Sequence, residues 1–204
     1  MRADRREVAR YLGYGRNALR PEVASYADAC EEELRRAVVP RSLVRRLSVD
    51  QLPGESGDLK RHLLHCREAV VYAVTLGAET DRLLRRWSAQ TMVKAAVGQA
   101  VCAVWLDELC ASLSDGLSRE LAPGEYLTAP YSPGYGDWSL SVQRPLLELL
   151  DAHRRIGLAL TEGGMLVPEK SITAVVGISD REEESCRQKC MLCGRTKCPF
   201  RAAF

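Results

Sequence analysis

The apolar segment at residues 69–76, AVVYAVTL, constrains the fold of this chain more than any other feature. Its side chains are almost all aliphatic or aromatic, and Gly77 follows it directly. A strand with one face in water alternates apolar and polar residues, whereas this run has no such alternation. The segment therefore predicts a strand that is covered by other structure on both faces.

The remaining segments predict a sheet with helices around it. We predict further strands at residues 41–49, 125–128, 156–160 and 171–178. We predict helices at residues 5–12, 22–38 and 58–66, in a long stretch at 79–113 that bends or breaks near Ser88, and after Ser139 or Ser141. Because the strands lie on both sides of a helical middle, without regular βαβ alternation, the fold class is predicted to be α+β, with a mainly antiparallel sheet and flanking helices.

Length and charge limit the functional classes. With 204 residues, the chain has room for one substantial core and a short appendage. The net charge is +2, and basic residues alternate with acidic ones along the chain, which argues against nucleic acid as the main partner. No apolar run approaches the ~20 residues needed to cross a bilayer, and no apolar segment follows the N-terminus, so we expect a cytoplasmic protein without a membrane partner.

Eight cysteines fall into two groups. Four are scattered among apolar or helical neighbours and are predicted to be small buried hydrophobes: Cys30, Cys66, Cys102 and Cys110. The other four share one short segment near the C-terminus: Cys186, Cys190, Cys193 and Cys198. We therefore divide the chain into a domain at residues 1–180 and a cysteine-rich tail at residues 181–204.

The spacing of the tail, C-x3-C-x2-C-x4-C-P, predicts a metal site. Thiolates this dense repel one another or oxidise unless a metal ion neutralises them. The pattern is close to the cluster-binding run of bacterial ferredoxins, with a proline after the last cysteine, but it is longer at two gaps. A [4Fe–4S] cluster is the favoured interpretation, and structural zinc or no metal at all are the alternatives. His62 and His65 lack accompanying ligands and are interpreted as a surface or partly buried pair.

A loop rich in glycine and proline occupies residues 128–140, TAPYSPGYGDWSL. Pro133 restricts its own φ, and Gly134 and Gly136 can adopt positive φ, so the backbone can turn sharply and approach a ligand closely. Tyr135 and Trp138 flank these positions with flat apolar faces. An ordinary turn between two elements is the alternative interpretation.

Several motifs follow one another in a characteristic order: SPGYGDW, Gln143, then IGLALTE at residues 156–162 and MLVPEKSITAVVG at residues 165–177. This succession resembles the reactivation domain of cobalamin-dependent methionine synthase, and more closely its free-standing bacterial homologues. The segment VVYAVTLG at residues 70–77 is similar to a strand of that family. The resemblance is most specific over residues 125–179, covers most of the chain, and implies a twisted antiparallel sheet with flanking helices.

The resemblance also implies a ligand and a reaction. It implies an S-adenosylmethionine pocket formed by Ser132, Pro133, Gly134, Tyr135 and Gly136, with Tyr135 nearest the methyl-transfer path. The implied reaction is the one-electron reduction and methylation of cob(II)alamin on a separate corrinoid-binding protein or a truncated cobalamin-dependent methionine synthase. Ferredoxin or flavodoxin is the implied electron donor. Such chemistry needs positioning of the substrates and exclusion of water, not an acid–base pair.

The chain departs from the family pattern at Pro130, where the motif often carries an arginine. Proline cannot pair with the methionine carboxylate, and the lost contact is worth ~1.5–3 kcal/mol. Arg144 and Lys170 are candidate replacements, and Asp107 and Glu108 are candidate acidic ligands by position. Pro130 also supports an alternative function, a non-catalytic partner of a corrinoid protein that binds it or transfers electrons through the cysteine tail.

Overall fold

An antiparallel sheet of four strands organises the computed structural model, which describes residues 1–15 and 17–182. In chain order the strands are β1 (Arg41–Ser48), β2 (Cys66–Thr75), β3 (Tyr126–Leu127), β4 (Ala159–Leu160), β5 (Leu166–Val167) and β6 (Ser171–Ser179). The order across the sheet is β1-β2-β6-β3, and β4 pairs with β5 in a separate hairpin. Every pairing is antiparallel, which confirms the predicted sheet type.

Strand β2 lies in the interior of the sheet, between β1 and β6. Its residues 69–75 are all buried, which confirms the prediction from the apolar run. Val70, Tyr72 and Val74 point to one buried cluster, whereas Val71 and Ala73 point to the other. Because successive side chains of a strand point to opposite faces, each face of β2 carries its own core.

Seven α-helices of the described chain cover these two faces. They are α1 (Arg5–Tyr11), α2 (Pro21–Ala37), α3 (Gly57–His62), α4 (Ala78–Gln90), α5 (Met92–Arg119), α6 (Gln143–Leu149) and α7 (Ala152–Ile156). The first buried cluster combines α1, α2, α4 and α5 with one face of the sheet. The second combines α3, α6, α7 and Trp138 with the opposite face. The α+β class is therefore confirmed.

The predicted long helical stretch is two helices, which separate at Thr91. The Thr91 hydroxyl accepts a hydrogen bond from the amide of Lys94 at 3.0 Å and so caps the start of α5. Farther along α5, a side chain at Gly98 would overlap the ring of Trp87 on α4. The small residue at position 98 therefore permits the close approach of the two helices.

By length and composition alone, α5 is long and apolar enough to cross a membrane. The expectation that no segment reaches this length is thus wrong for α5. Core helices of water-soluble proteins pass the same test, and 44% of its most apolar window is buried within the protein. It packs against α1, α2 and α4.

Two predicted elements differ from the structure. The helix predicted at residues 58–66 ends at His62, because β2 begins at Cys66. The strand predicted at 156–160 is α7 followed by the short β4, with Gly157 at φ 71° ending the helix. Short apolar runs such as IGLAL fit either a helix or a strand by periodicity, so tertiary packing decided this one.

The scattered cysteines behave as small buried hydrophobes. Cys30 and Cys102 are buried, and Cys66 and Cys110 are partly buried. Burial raises the pKa of the Cys30, Cys102 and Cys110 thiols to about 12 in each case, so these thiols stay protonated. The tail cysteines, Cys186, Cys190, Cys193 and Cys198, lie outside the described residues.

Candidate functional site

The glycine–proline loop follows β3 and is attached to β6 by backbone hydrogen bonds. Thr128 donates its amide to the Gly177 carbonyl at 3.0 Å, and its hydroxyl accepts from the Gly177 amide at 2.8 Å. Tyr131 and Val175 exchange both backbone hydrogen bonds, at 2.8 and 2.9 Å. The loop thus leaves the edge of the sheet from a fixed position.

Within the loop, residues 132–138 fold back on themselves. The Tyr135 amide donates to the Ser132 carbonyl at 3.0 Å, and the Trp138 amide donates to the Tyr135 carbonyl at 3.0 Å. The Gly134 amide donates to the Trp138 carbonyl at 2.7 Å, and Gly134 and Gly136 have φ of 91° and 52°. These left-handed conformations explain why both positions are glycine. The three amides of Gly134, Tyr135 and Trp138 donate to carbonyls within the loop itself.

Helix α3 holds the loop through two carboxylates. The Asp137 carboxylate accepts hydrogen bonds from the Ser56 hydroxyl, from the Gly57 amide at 2.9 Å and from the Asp58 amide at 3.2 Å. The hydrogen bond from Ser56, followed by those from the backbone amides, lowers the pKa of Asp137. In return, Asp58 accepts from the Asp137 amide at 3.1 Å. A carboxylate from the loop therefore caps the start of α3.

The close contact between loop and helix depends on Gly136. A Cβ at this position would clash with the Asp58 carboxylate and with the hydroxyl of Tyr131. Gly136 therefore lets the loop lie against α3, in addition to providing its positive φ.

Aromatic rings connect the core to the surface of the loop. Trp138 is buried and donates its Nε1 hydrogen to the Pro53 carbonyl at 3.2 Å. The ring centroid of Tyr131 lies 6.2 Å from that of Trp138 and 5.7 Å from that of Tyr135. Tyr135 is 55% exposed, so the cluster ends in an aromatic face that a ligand can reach.

His62 and Arg61, at the end of α3, complete this surface. The His62 Nε2 hydrogen is donated to the Ala129 carbonyl at 2.7 Å, and its ring lies 5.0 Å from that of Tyr131. Arg61 forms an ion pair with Asp58. Burial and then the negative charges of Asp58 and Asp137 raise the pKa of Tyr131, so its phenol remains neutral.

The structure places the five predicted loop residues as follows. Ser132, Gly134, Tyr135 and Gly136 lie at least partly at the surface, whereas Pro133 is buried. Sequence reasoning missed Asp58 and Arg61 as neighbours of this loop, and it gave Tyr131, within the loop, no role. The only local signal was Ser56, whose hydroxyl accepts from the Leu59 amide at 2.8 Å as a typical helix cap.

The positional candidates elsewhere in the chain are not brought to the loop. Asp107 lies on α5, on the opposite side of the sheet, and its carboxylate accepts a hydrogen bond from Tyr11 at 2.5 Å. Glu108 follows it on the same helix. Among the described residues, no hydrogen bond or ion pair joins Arg144 or Lys170 to the loop. His65 contacts Arg181 at 3.4 Å and does not pair with His62.

A separate groove of about 540 Å³ lies at the end of the sheet. Cys66, Glu68, Glu125 and Ser179 are among the residues that line it. None of loop residues 132–138 contributes to this groove. The candidate site is the exposed surface formed by the loop and α3, and the groove is separate from it.

Comparisons with known proteins give a structural relationship. No protein-family model matches the chain, and no curated protein matches it. Among solved structures, the crystal structure of the MetH reactivation domain bound to AdoHcy is similar, with a TM-score of 0.61 and 13% sequence identity. The match covers 90% of this chain and 79% of that chain. This chain therefore has a fold similar to that of the MetH reactivation domain.

Proposed function

We propose that this protein binds S-adenosylmethionine at residues 132–136 and takes part in the reductive methylation of a corrinoid protein. One observation carries this proposal. A loop with an exposed tyrosine, held rigidly between β6 and α3, belongs to a fold similar to that of a domain crystallised with AdoHcy. AdoHcy is what remains of S-adenosylmethionine after it has given up its methyl group.

The chemistry of the loop suits this ligand. S-Adenosylmethionine supplies a methyl group on a positively charged sulfonium, which is already activated for transfer. The exposed ring of Tyr135 offers an electron-rich face to such a cation. The contacts with Asp58 and Val175 fix the loop before the ligand arrives, which reduces the entropic cost of binding. The role of the protein is thus to bind and orient.

The proposed methyl acceptor is cobalamin on a second protein, either a corrinoid-binding protein or a truncated cobalamin-dependent methionine synthase. One electron from ferredoxin or flavodoxin reduces cob(II)alamin, and the methyl group of S-adenosylmethionine then passes to the cobalt. The products are methylcobalamin on the partner and AdoHcy on this protein. Two observations support such a partner, namely the sequence motifs and the MetH-like fold.

The cysteine tail is proposed to hold a [4Fe–4S] cluster or, alternatively, zinc. The four ligands are Cys186, Cys190, Cys193 and Cys198. Within the described part of the chain, no group of three or more His, Cys, Asp or Glu side chains is arranged to hold a metal ion.

A calorimetric titration tests ligand binding. S-Adenosylmethionine is added to full-length protein that has been purified without oxygen. We expect saturable binding that is lost in Tyr135→Ala and retained in Tyr14→Ala, a tyrosine in the turn after α1. A folded wild-type protein that does not bind would contradict the proposal.

That negative result would favour the alternative function, a non-catalytic corrinoid-protein partner, for which Pro130 is the specific observation. A second assay separates the two functions. The protein is mixed with a cobalamin-binding domain in the cob(II)alamin state, titanium(III) citrate and S-adenosylmethionine. The proposed reaction gives the absorption spectrum of methylcobalamin. A protein that only binds the cobalamin domain gives no such spectrum.

A further inference from the structure

We infer that the Asp58–Arg61 ion pair recognises the amino-acid end of S-adenosylmethionine. Arg61 binds its carboxylate and Asp58 binds its ammonium group. This inference rests on the proposed function of the loop and identifies the residues that replace the arginine missing at Pro130.

Asp58 lies directly against the proposed ligand loop. One of its oxygens, Oδ2, accepts the hydrogen bond from the Asp137 amide at 3.1 Å, and the same oxygen would clash with a side chain at Gly136. Its other oxygen, Oδ1, forms the ion pair with Arg61. The two opposite charges therefore lie beside the loop, next to the residue that follows Tyr135.

Arg61 is available for a new partner. Its side chain is 79% exposed, and its ion pair with Asp58 joins residues three positions apart on α3. Exposed pairs of this kind contribute little to stability, so the pair opens easily. The planar guanidinium matches a carboxylate with two parallel hydrogen bonds, a geometry that strengthens binding and fixes orientation.

The ligand has the complementary pattern of charges. The methionine part of S-adenosylmethionine ends in a carboxylate and an ammonium on the same carbon atom. When Arg61 turns to the carboxylate, Oδ1 of Asp58 becomes free to accept from the ammonium, while Oδ2 keeps its hydrogen bond to the loop. An ion pair of the protein is thus exchanged for two ion pairs with the ligand, and no charge is left without a partner.

Three related ligands test each half of this inference. Decarboxylated S-adenosylmethionine lacks the carboxylate but keeps the amine, and 5′-methylthioadenosine lacks both groups. Affinities for these and for S-adenosylmethionine are measured by calorimetry with wild type, Arg61→Gln, Asp58→Asn and Lys60→Gln. Lys60 is the matched control, because it lies next to Arg61 on α3 but pairs with Glu55.

We expect Arg61→Gln to weaken the binding of S-adenosylmethionine roughly tenfold or more, because one charge-assisted contact is lost. The same variant leaves the affinity for 5′-methylthioadenosine unchanged. It does not weaken the binding of decarboxylated S-adenosylmethionine, because removal of Arg61 frees Oδ1 of Asp58 for the amine. Asp58→Asn weakens the binding of both amine-containing ligands and leaves the affinity for 5′-methylthioadenosine unchanged. Lys60→Gln binds all three ligands as the wild type does.

Two results would overturn the inference while the proposed function stands. In the first, Arg61→Gln binds S-adenosylmethionine as tightly as wild type does. In the second, it weakens the binding of all three ligands equally, which indicates a structural effect on the loop. Failure of the wild type to bind S-adenosylmethionine at all removes the proposed function and, with it, the inference.

Discussion

Asp58 and Asp137 hold each other through their backbone amides, each of which donates to the carboxylate of the other residue, at 3.2 and 3.1 Å. This reciprocal pair joins α3 to the glycine–proline loop across 79 positions of sequence. The loop is therefore not an isolated turn. Its conformation depends on α3, and this dependence can be measured.

Replacement of Asp137 by alanine is expected to weaken S-adenosylmethionine binding severalfold. The variant removes the acceptor for Ser56 and for two amides of α3, so the loop loses its support from the helix. Calorimetric titration measures the affinity, and thermal unfolding measures the accompanying loss of stability. Asp115→Ala, at an exposed position of α5, serves as the control and should leave both quantities unchanged.

Alanine at Gly136 is expected to abolish ligand binding, because its Cβ clashes with Asp58 and Tyr131. The matched control is Gly15→Ala. Gly15 also has a positive φ, of 62°, but a Cβ there would meet nothing within 4 Å. Both variants carry backbone strain of roughly 1–2 kcal/mol. Gly15→Ala therefore measures the effect of this strain without a clash at the ligand loop. Equal effects of the two substitutions on binding would disprove a special role for the loop contact.

Two glycines of α5 are expected to respond to alanine in opposite directions. Gly98→Ala overlaps the Trp87 ring and should destabilise the protein by about 1–3 kcal/mol. Gly116→Ala meets no atom and should stabilise the same helix by about 0.5–1 kcal/mol. Urea unfolding of the two variants gives both free energies. A stabilising effect at Gly98 would show that α4 and α5 do not require close contact.

Acid is expected to destabilise the junction of α2, α4 and α5 through Glu33. Burial opposes ionisation of this carboxyl group, but hydrogen bonds from Lys94, Trp87 and Arg86 outweigh it and lower its pKa to about 2. A carboxylate with a lowered pKa stabilises the fold above its unfolded value of 4.5, and this stability is lost as the pH falls towards about 2.

The measurement for Glu33 is urea unfolding at several pH values between neutrality and pH ~2.5. Glu33→Gln should be less stable than wild type at neutral pH, and the difference should shrink as the pH falls. Glu32→Gln is the control, because Glu32 is more exposed and, among residues 1–15 and 17–182, pairs only with neighbouring arginines of α2. A difference that does not change with pH would contradict the assignment.

The cysteine tail is expected to bind iron and sulfide in protein purified without oxygen. Replacement of all four tail cysteines by serine should remove the metal together with the visible absorption of the cluster. Stoichiometric zinc without visible absorption would identify the structural alternative. Unchanged metal content in the serine variant would exclude the tail as the ligand set.

Local patterns were sufficient for the elements that depend on local chemistry. The uninterrupted apolar run at residues 69–76 predicted a strand covered on both faces, and β2 has this environment. The glycines of the loop predicted positive φ, which Gly134 and Gly136 adopt. In each case the information lies in neighbouring residues, because side-chain polarity and backbone sterics act over a few positions.

Where a segment fits a helix and a strand about equally well, the sequence did not decide which of the two forms or where it ends. The apolar segment after Ile156 predicted a strand, but Gly157 ends a helix there and leaves only a short β4. Likewise, α3 stops at His62 because pairing with β6 extends β2 back to Cys66. Such boundaries depend on partner strands and helices that are distant in sequence.

By itself, the sequence determined the α+β class, the buried central strand, the glycine–proline loop and the resemblance that links this loop to S-adenosylmethionine. Only the tertiary structure decided which side chains surround that loop. Asp58 and Arg61 reach it because α3 docks against the loop, whereas Asp107 and Lys170 stay away. Contacts between residues far apart in the chain arise from strand pairing and helix packing, and no local pattern of the sequence encodes them one by one.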